Sequence, residues 1–368
     1  MEQCMEIGQA VNHLMAGQRL NREQAAGVMT QVLNDDAGPM NQGAFLAAIS
    51  TGNPTPEEIA GAWQAIIDVD TSQVTPRVPG PLVDNCGTGM DSFKTFNIST
   101  AAAIVAAAGG VYVARHGARA ITSRCGTVDL CEALGVDVEM DARGVQESIE
   151  RCGLGLFNGM SAAIHPRALF RILSQINFGS ILNISASLAN PARPERGVRG
   201  VYADEMVRPV AETMRVIGFV RALVFHGTTA GDAGGMDELS PVSESHLAEL
   251  TPDGRILESS IHPRDLGIPA GLDAAELTGG NDAQAEALRM VRLLSGKLKG
   301  ALFEAVCLNA APVLYLGDKA DDLKQGVELA RRLIDRGSAL NQLQQWVVHQ
   351  QRQPDQGRRT LSQLLEQI

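Results

Sequence analysis

The 368-residue sequence has few aromatic residues, few cysteines and no excess of positive charge. Aromatic side chains make up 4% of the chain while Ala, Gly, Val, Leu and Ile are plentiful, which excludes a disordered or fibrous chain and favours close helix-on-sheet packing. The formal net charge of -11 argues against a nucleic-acid or membrane-surface binder, because most of the surface repels phosphate. Any anion site must therefore be local.

The cysteines and the apolar runs point to a cellular compartment. Six cysteines are scattered along the chain without a CxxC pair, which favours free thiols in a reducing environment over disulfides or zinc. No apolar run reaches the length of about 18 residues that a membrane span needs. The first six residues are acidic, unlike a secretory signal, so we expect a cytoplasmic protein without a membrane partner.

The hydrophobic pattern changes near residue 70. Up to that point it predicts only helices, with polar starts at Asn21 and Pro56. A linker with three prolines, residues 71–81, follows. Short apolar strands then alternate with helices, which predicts an α/β fold with a mainly parallel sheet. Predicted strands lie at 82–83, 111–114, 136–139 and 222–225, and predicted helices at 129–134 and 142–152.

A glycine-rich run, Asp84 to Asp91, follows the first predicted strand, and Asn97 to Thr100 then opens an Ala-rich helix. Strand, glycine loop and helix N-terminus together offer unpaired N–H groups and the positive end of a helix dipole. The run therefore predicts a phosphate or pyrophosphate site, although an ordinary capped βα turn has the same pattern.

Two further clusters follow predicted strands. Arg115 to Thr127 holds three arginines, one histidine and several hydroxyls with no acid, which fits either a phosphate cradle or a solvated basic loop. Asp237 and Glu238 form an adjacent acidic pair, which fits either Mg²⁺ ligation or a surface feature. Because ligands of parallel sheets bind at the carboxyl ends of strands, we expect these clusters to meet.

The order of these motifs resembles the anthranilate phosphoribosyltransferase family. The resemblance covers GTG-x-D at 87–91, NIST at 97–100, HG-x-R at 116–119, Asn183 with LANP at 188–191, HG at 226–227 and the pair 237–238. It implies a homodimeric enzyme of tryptophan biosynthesis that uses Mg²⁺ and phosphoribosyl pyrophosphate with a small aromatic acceptor. It also implies a helical domain at 1–73, completed by helices within about 164–190, and an α/β domain at 74–163 and 191–368.

The resemblance assigns site residues by their position in the motifs. His116 is implied as a positioning group, and no covalent nucleophile is needed. The implied metal ligands are Ser99, Asp237 and Glu238. The implied phosphoribosyl pyrophosphate contacts are Gly87, Met90, Asp91, Thr95, Asn97, Ile98, Ser99, Thr100, Arg115, Arg119, Ser123 and Thr127. The implied acceptor contacts are Gly87, His116, Ala118, Arg171 and Ser174.

The chain departs from the family pattern at the acceptor. Ala118 replaces an asparagine that meets anthranilate, and Ser174 replaces the arginine that engages its carboxylate. Arg171 or Arg167 could compensate from the same predicted helix. Met90 replaces the second glycine of the loop, and the longer segment before Met236 suggests a lid over the metal site. The sequence therefore supports the phosphoribosyl donor and leaves the acceptor open.

Three functions remain at this point. The leading one is a Mg²⁺-dependent phosphoribosyltransferase that acts on anthranilate or another aromatic or heterocyclic nitrogen. A pyrimidine nucleoside phosphorylase-like enzyme shares the fold but does not need the acidic pair. A non-catalytic ligand-binding paralogue is the third, and retention of Asp91, Ser99, Asp237 and Glu238 argues against it.

Overall fold

The computed structural model describes residues 5–89, 93–119, 125–229, 234–280 and 282–368. Four helices come first, as the sequence predicts: α1 (Ile7–Met15), α2 (Arg22–Asn34), α3 (Pro39–Thr51) and α4 (Pro56–Asp70). Asn21 caps α2 by accepting a hydrogen bond from the Gln24 N–H at 2.9 Å. Thr55 caps α4 through the Glu58 N–H at 3.2 Å. No helix of the described residues is long and apolar enough to cross a membrane.

One sheet forms the centre of the rest of the chain. Its strands are β1 (Leu82–Gly87), β2 (Tyr112–Gly117), β3 (Leu154–Asn158), β4 (Arg196–Gly200), β5 (Arg221–Thr228), β6 (Gly235–Met236), β7 (Ser245–Leu250) and β8 (Ile256–Ile261). Their order is β3-β2-β1-β4-β5-β7-β8, with β6 paired to β5. The first five strands are parallel and the last three antiparallel, which confirms the predicted fold class.

Helices cover both faces of this sheet. They are α5 (Ile98–Ala108), α6 (Thr127–Leu134), α7 (Ala142–Cys152), α8 (Leu169–Leu173), α9 (Leu182–Leu188), α10 (Val207–Ile217), α11 (Ala283–Leu294), α12 (Ala301–Leu316), α13 (Leu323–Asp335), α14 (Ser338–His349) and α15 (Pro354–Leu365). Helices α5 and α12 are buried on nearly all sides, and they form the main core with the sheet. Alanine predominates in α5 because its small side chains let the helices approach closely.

The N-terminal helices share a second core with later parts of the chain. Helices α8 and α9 contribute buried side chains to it, and so does α10. Alternate residues of β5 separate the two cores: Ala222 and Val224 face the helical one, whereas Leu223 and Phe225 face the main one. This alternation places the N-terminal helices against one face of the sheet. The domain boundaries given above stay a prediction.

The predicted strand at 136–139 is wrong, because this segment pairs with no strand in the part of the chain that the structure describes. Val136 and Val138 are buried as expected, but the Asp137 N–H donates to the Gln350 carbonyl at 2.9 Å and its carboxylate binds Arg352 at 2.5 Å. The alternation of apolar residues therefore comes from two buried valines in a turn and not from a strand. Strand β2 also runs further than predicted, so that Arg115 and His116 lie on it rather than after it.

A glutamine side chain from the C-terminal region closes the β3 edge of the sheet. Gln350 Oε1 accepts a hydrogen bond from the Leu156 N–H at 2.8 Å, and Nε2 donates to the Leu156 carbonyl at 2.8 Å. Trp346 Nε1 donates to the same Oε1 at 2.9 Å. This amide satisfies backbone groups that an edge strand otherwise leaves unpaired.

Candidate active site

A cavity of about 300 Å³ opens at the carboxyl ends of the parallel strands. Its glycine-loop end is formed by the ends of β1 and β2, the residues after β6 and the start of α5. It includes Gly87, Gly89, Ser99, Arg115, Asp237 and Glu238. Its helical end includes Gly117, Ala118, Gly159, Met160, Leu173, Leu182, Asn183, Ala186 and Ser187. His116, Arg119, Thr95, Asn97 and Thr127 also line the cavity. The three sequence clusters therefore meet in one place.

The acidic pair is hydrogen-bonded to the glycine loop and to the helix start. Asp237 Oδ2 accepts from the Gly89 N–H at 2.8 Å, and Glu238 Oε1 accepts from the Ser99 N–H at 3.0 Å. The carboxylate of Glu238 thus lies at the positive end of α5. These two bonds connect segments that are more than 130 residues apart in the chain.

Two glycines make room for Asp237. A Cβ on Gly87 would overlap the Asp237 carboxylate, and a Cβ on Gly200 would overlap the Asp237 backbone carbonyl. Gly89 adopts a φ of 64°, which favours glycine. The backbone around β1 and β4 can therefore approach Asp237 only because these positions have no side chain.

Arg115 is buried at the glycine-loop end, with 1% of its surface exposed. Its Nη2 donates to Ser99 Oγ at 3.1 Å, whereas Nε and Nη1 have no hydrogen-bond partner among the described residues. Burial lowers the pKa of this guanidinium below its usual range. Buried N–H donors without partners are costly, so this group is poised to bind an anion.

Asn97 and Thr127 hold the two sides of the cavity together. Asn97 precedes α5 as predicted, but its side chain does not cap the helix. Its Nδ2 donates to the Cys125 carbonyl at 3.2 Å, and Thr127 Oγ1 donates to Asn97 Oδ1 at 3.5 Å. The start of α5 is thereby linked to the start of α6.

Two predicted donor contacts lie away from the cavity surface. The side chains of Ile98 and Thr100 are fully buried where α5 packs against the core, and neither residue lines the cavity. The reason is helical geometry, since only Ser99 of this first turn faces the strand ends. Arg119 does line the cavity, but its guanidinium binds Glu132 at 2.8 Å and Asp129 at 3.0 Å. The hydrogen bonds that Arg119 donates to Glu132 and Asp129 raise the pKa of its guanidinium.

The predicted compensating arginine is not at the cavity. Arg171 donates from Nη2 to the Val32 carbonyl at 2.9 Å and from Nη1 to Gln42 at 3.2 Å, and it binds Asp35 at 3.3 Å. Its side chain thus joins α8 to the N-terminal helices. Ser174 also lies outside the cavity lining, with its hydroxyl bonded to the Arg171 carbonyl at 3.0 Å. The helical end is left without a charged side chain among its described residues.

Several predictions fall on residues outside the described ranges. These are Met90, Asp91 and Ser123 among the donor contacts, together with residues 230–233 of the proposed lid. Other cavity residues were not predicted. Met160, Leu173, Leu182 and Ala186 are ordinary apolar residues in the sequence, and no local pattern distinguishes them from core residues. Lys94 has a charge that could have marked it, but it stands in no recognisable motif.

Comparison with known proteins supports the resemblance over both parts of the chain. The sequence model described as "Glycosyl transferase family, a/b domain" matches residues 79–340, and "Glycosyl transferase family, helical bundle domain" matches residues 8–69. The fold and the site therefore define a glycosyltransferase.

Individual relatives narrow this class. Anthranilate phosphoribosyltransferase of Anaeromyxobacter dehalogenans strain 2CP-C is 40% identical over 344 residues, which cover 93% of this chain and 98% of the relative. The crystal structure of the Thermus thermophilus enzyme of the same name has a TM-score of 0.83 at 34% identity, covering 93% of this chain and 99% of that one. The chain belongs to the anthranilate phosphoribosyltransferase family, whose members are pentosyltransferases.

A more distant structure shows the same fold. Anthranilate phosphoribosyltransferase from Saccharomyces cerevisiae, solved in complex with phosphoribosyl pyrophosphate and Mg, has a TM-score of 0.79 at 22% identity. The match covers 94% of this chain and 97% of that chain.

Proposed function

We propose that this protein is a Mg²⁺-dependent phosphoribosyltransferase, which transfers the phosphoribosyl group of phosphoribosyl pyrophosphate to an aromatic amine or heterocyclic nitrogen. The observation that carries the proposal is the pair of hydrogen bonds from Gly89 N–H to Asp237 and from Ser99 N–H to Glu238. They bring two carboxylates, a helix N-terminus and a glycine loop to one end of a cavity. A pyrophosphate with a bound divalent cation needs this combination.

The residues at the glycine-loop end fit Mg²⁺. Asp237, Glu238 and the Ser99 hydroxyl are oxygen donors, which this hard cation prefers. Ser99 Oγ accepts one hydrogen bond from Arg115, and a hydroxyl has a second lone pair available. When bound there, Mg²⁺ would neutralise negative charge on the pyrophosphate as it leaves.

The chain's own residues can promote the transfer by positioning and electrostatics. As the C1–O bond to pyrophosphate breaks, positive charge develops on the ribose and negative charge on the leaving group. The unpartnered Nε and Nη1 of Arg115 and the positive end of the α5 dipole can stabilise that negative charge. The acceptor nitrogen needs only to be held near C1, which the helical end of the cavity can do.

We propose further that anthranilate is a poor acceptor. Ala118 offers no amide, and Arg171 is bound to Asp35, Gln42 and Val32 away from the cavity. A charge-assisted contact to a carboxylate contributes about 1.5–3 kcal/mol, which is roughly 10- to 150-fold in affinity. The apolar surface of Met160, Leu173 and Leu182 favours an aromatic acceptor that lacks this carboxylate.

Calorimetric titration tests the donor. Phosphoribosyl pyrophosphate is titrated into the protein with and without Mg²⁺, and we expect tight binding only with the metal. Glu238→Gln should weaken it at least tenfold, whereas Glu328→Gln, an exposed carboxylate on α13, should not. Absence of binding under both conditions would refute the transferase. Metal-independent binding of inorganic phosphate and a nucleoside would favour the phosphorylase.

The assembly is a further part of the proposal. The resemblance implies a homodimer, and large apolar side chains are exposed on the helical part of the chain, including Met40 at 89% and Phe170 at 56%. Exposed apolar groups of this size fit a subunit interface. Light scattering after size-exclusion chromatography measures the mass, and a monomer at all concentrations would contradict the dimer.

A further inference from the structure

Two buried histidines contact each other beside the cavity. His116 on β2 lines the cavity, and His165 lies between β3 and α8. Their exposed fractions are 4% and 2%. The two Nε2 atoms are 3.1 Å apart, and the rings meet edge to face at 63°. One of these nitrogens must therefore carry a hydrogen and donate a hydrogen bond to the other.

A backbone contact of His165 determines which nitrogen of each ring carries a hydrogen. His165 Nδ1 lies 2.7 Å from the Asp70 carbonyl oxygen, which can only accept, so Nδ1 carries the hydrogen. Burial lowers the pKa of both rings, and each neutral ring carries one proton. His165 Nε2 is then an acceptor and His116 Nε2 is the donor. His116 Nδ1 is left with a lone pair.

The Asp70 carbonyl is itself held in place. The carboxylate of Asp70, at the end of α4, accepts hydrogen bonds from the N–H groups of Arg167 at 2.5 Å, Ala168 at 3.0 Å and Leu169 at 2.7 Å. These bonds attach the end of α4 to the start of α8. The acceptor that orients His165 is therefore part of a rigid junction rather than a loop exposed to water.

Of the four ring nitrogens, His116 Nδ1 is the one that these hydrogen bonds do not use. It is buried and makes no well-aligned hydrogen bond among the described residues, although the Ser187 and Ala186 carbonyls lie near the ring. An unsatisfied buried acceptor is costly, and a ligand that donates a hydrogen bond removes that cost.

We infer that His165 is a positioning residue, which holds His116 in its Nε2–H tautomer so that His116 Nδ1 accepts a hydrogen bond from an N–H group of the acceptor substrate. This inference rests on the proposed function. It narrows the acceptor to a primary or secondary aromatic amine or an N–H heterocycle. During transfer, the nitrogen lone pair forms the C1–N bond and the electrons of the C1–O bond leave with pyrophosphate. The cationic nitrogen so formed then loses one proton to the departing pyrophosphate or to water.

Nitrogen-15 NMR of histidine-labelled protein tests the tautomer without any substrate. The His116 signals are assigned by their loss in His116→Gln. We expect one protonated ring nitrogen, Nε2, in the wild type, and a mixture of tautomers in His165→Leu. His165→Gln, whose side-chain oxygen can accept the Nε2–H, should keep the Nε2–H form. Protonation of His116 at Nδ1 in the wild type would overturn the inference whether or not the enzyme transfers phosphoribosyl groups.

A matched pair of ligands tests the role of Nδ1. Calorimetry compares 2-aminobenzamide with 2-(dimethylamino)benzamide, which lacks the N–H, in the presence of Mg²⁺ and pyrophosphate. The wild type and His165→Gln should bind the first compound about fivefold more tightly, and His165→Leu should bind both alike. Equal preference in all three folded proteins would contradict the inference. Loss of phosphoribosyl pyrophosphate binding with the tautomer as expected would instead contradict only the proposed function.

Discussion

Ala118 and Ser174 stand where the resemblance places the amide and the arginine that contact anthranilate. Restoring both in the variant Ala118→Asn/Ser174→Arg should convert the protein into an efficient anthranilate enzyme. Ala118 lines the cavity, and Leu173, which precedes Ser174, lines it as well. Because position 174 is next to a cavity-lining residue, we expect a long side chain there to reach the helical end, where the described residues carry no competing charge.

The size of the gain follows from the contacts restored. An arginine–carboxylate bond contributes about 1.5–3 kcal/mol and a neutral amide bond about 1 kcal/mol. Together they predict a rise in kcat/KM for anthranilate of about 70- to 900-fold. Because the donor end is unchanged, the KM for phosphoribosyl pyrophosphate should stay within about twofold. Steady-state kinetics that follow the loss of anthranilate fluorescence measure both values.

Two controls separate specific recognition from added charge. Gln175→Arg puts the same group on the neighbouring exposed position and should leave anthranilate kinetics unchanged. The single variants should each give part of the gain, and their coupling can be read from the double-mutant cycle. A wild-type enzyme that already turns over anthranilate efficiently would refute the reasoning, and so would a double variant with no gain.

Three further predictions concern the glycine beside Asp237, the glutamine at the β3 edge and the buried His116. Gly200→Ala should abolish activity and lower Tm in thermal unfolding, since its Cβ overlaps the Asp237 carbonyl; an active, equally stable variant would contradict the close approach. Gln350→Leu should destabilise the protein by about 2–4 kcal/mol in urea unfolding, because the backbone of Leu156 loses both partners; a loss under about 0.5 kcal/mol would contradict this. Burial lowers the pKa of His116 to about 3, so between pH 6.5 and 3 the unfolded chain binds the proton more readily and stability falls as pH falls, by about 1.4 kcal/mol per unit. In urea unfolding from pH 7.5 to 5, the free energy of unfolding of the wild type should fall more steeply than that of His116→Gln. The same pH dependence in both proteins would contradict the prediction.

The glycine-loop end of the cavity was predictable because its polar residues and glycines occur together in short, continuous sequence motifs. Gly87, Asn97 and Ser99 follow one strand and open one helix, so local patterns place them at a sheet end. The parallel-sheet rule then brings Arg115 and Asp237 to the same end without knowledge of their contacts. The sequence thus predicted that these residues meet, but not which hydrogen bonds they form. In one turn of a helix, only one side chain in three or four faces a given site. Ile98 and Thr100 were included for that reason, and both face the core.

The helical end was not predictable because it is assembled from distant, chemically ordinary residues. Leu173 and Leu182 belong to short helices that join the N-terminal core, and their apolar side chains look like any core residue. Arg171 shows the opposite failure. Its charge and helical spacing suggested a ligand contact, but three acceptors from α2 and α3 and the loop between them compete for its guanidinium, and only the packing of α8 on those helices reveals them.

Asp70, at the end of α4, is a further residue whose role could not be predicted. Its carboxylate and its carbonyl serve different partners, since the first fixes the start of α8 and the second fixes the proton on His165. Both partners are more than 90 residues away, so no local pattern marks Asp70 as more than the last residue of a helix. The same α4–α8 junction therefore determines where the apolar wall of the cavity lies and which nitrogen of His116 carries a hydrogen. The end of the cavity that we propose for the acceptor therefore depends on the docking of the helical part, whereas the end proposed for the donor depends on the strand ends and the start of α5.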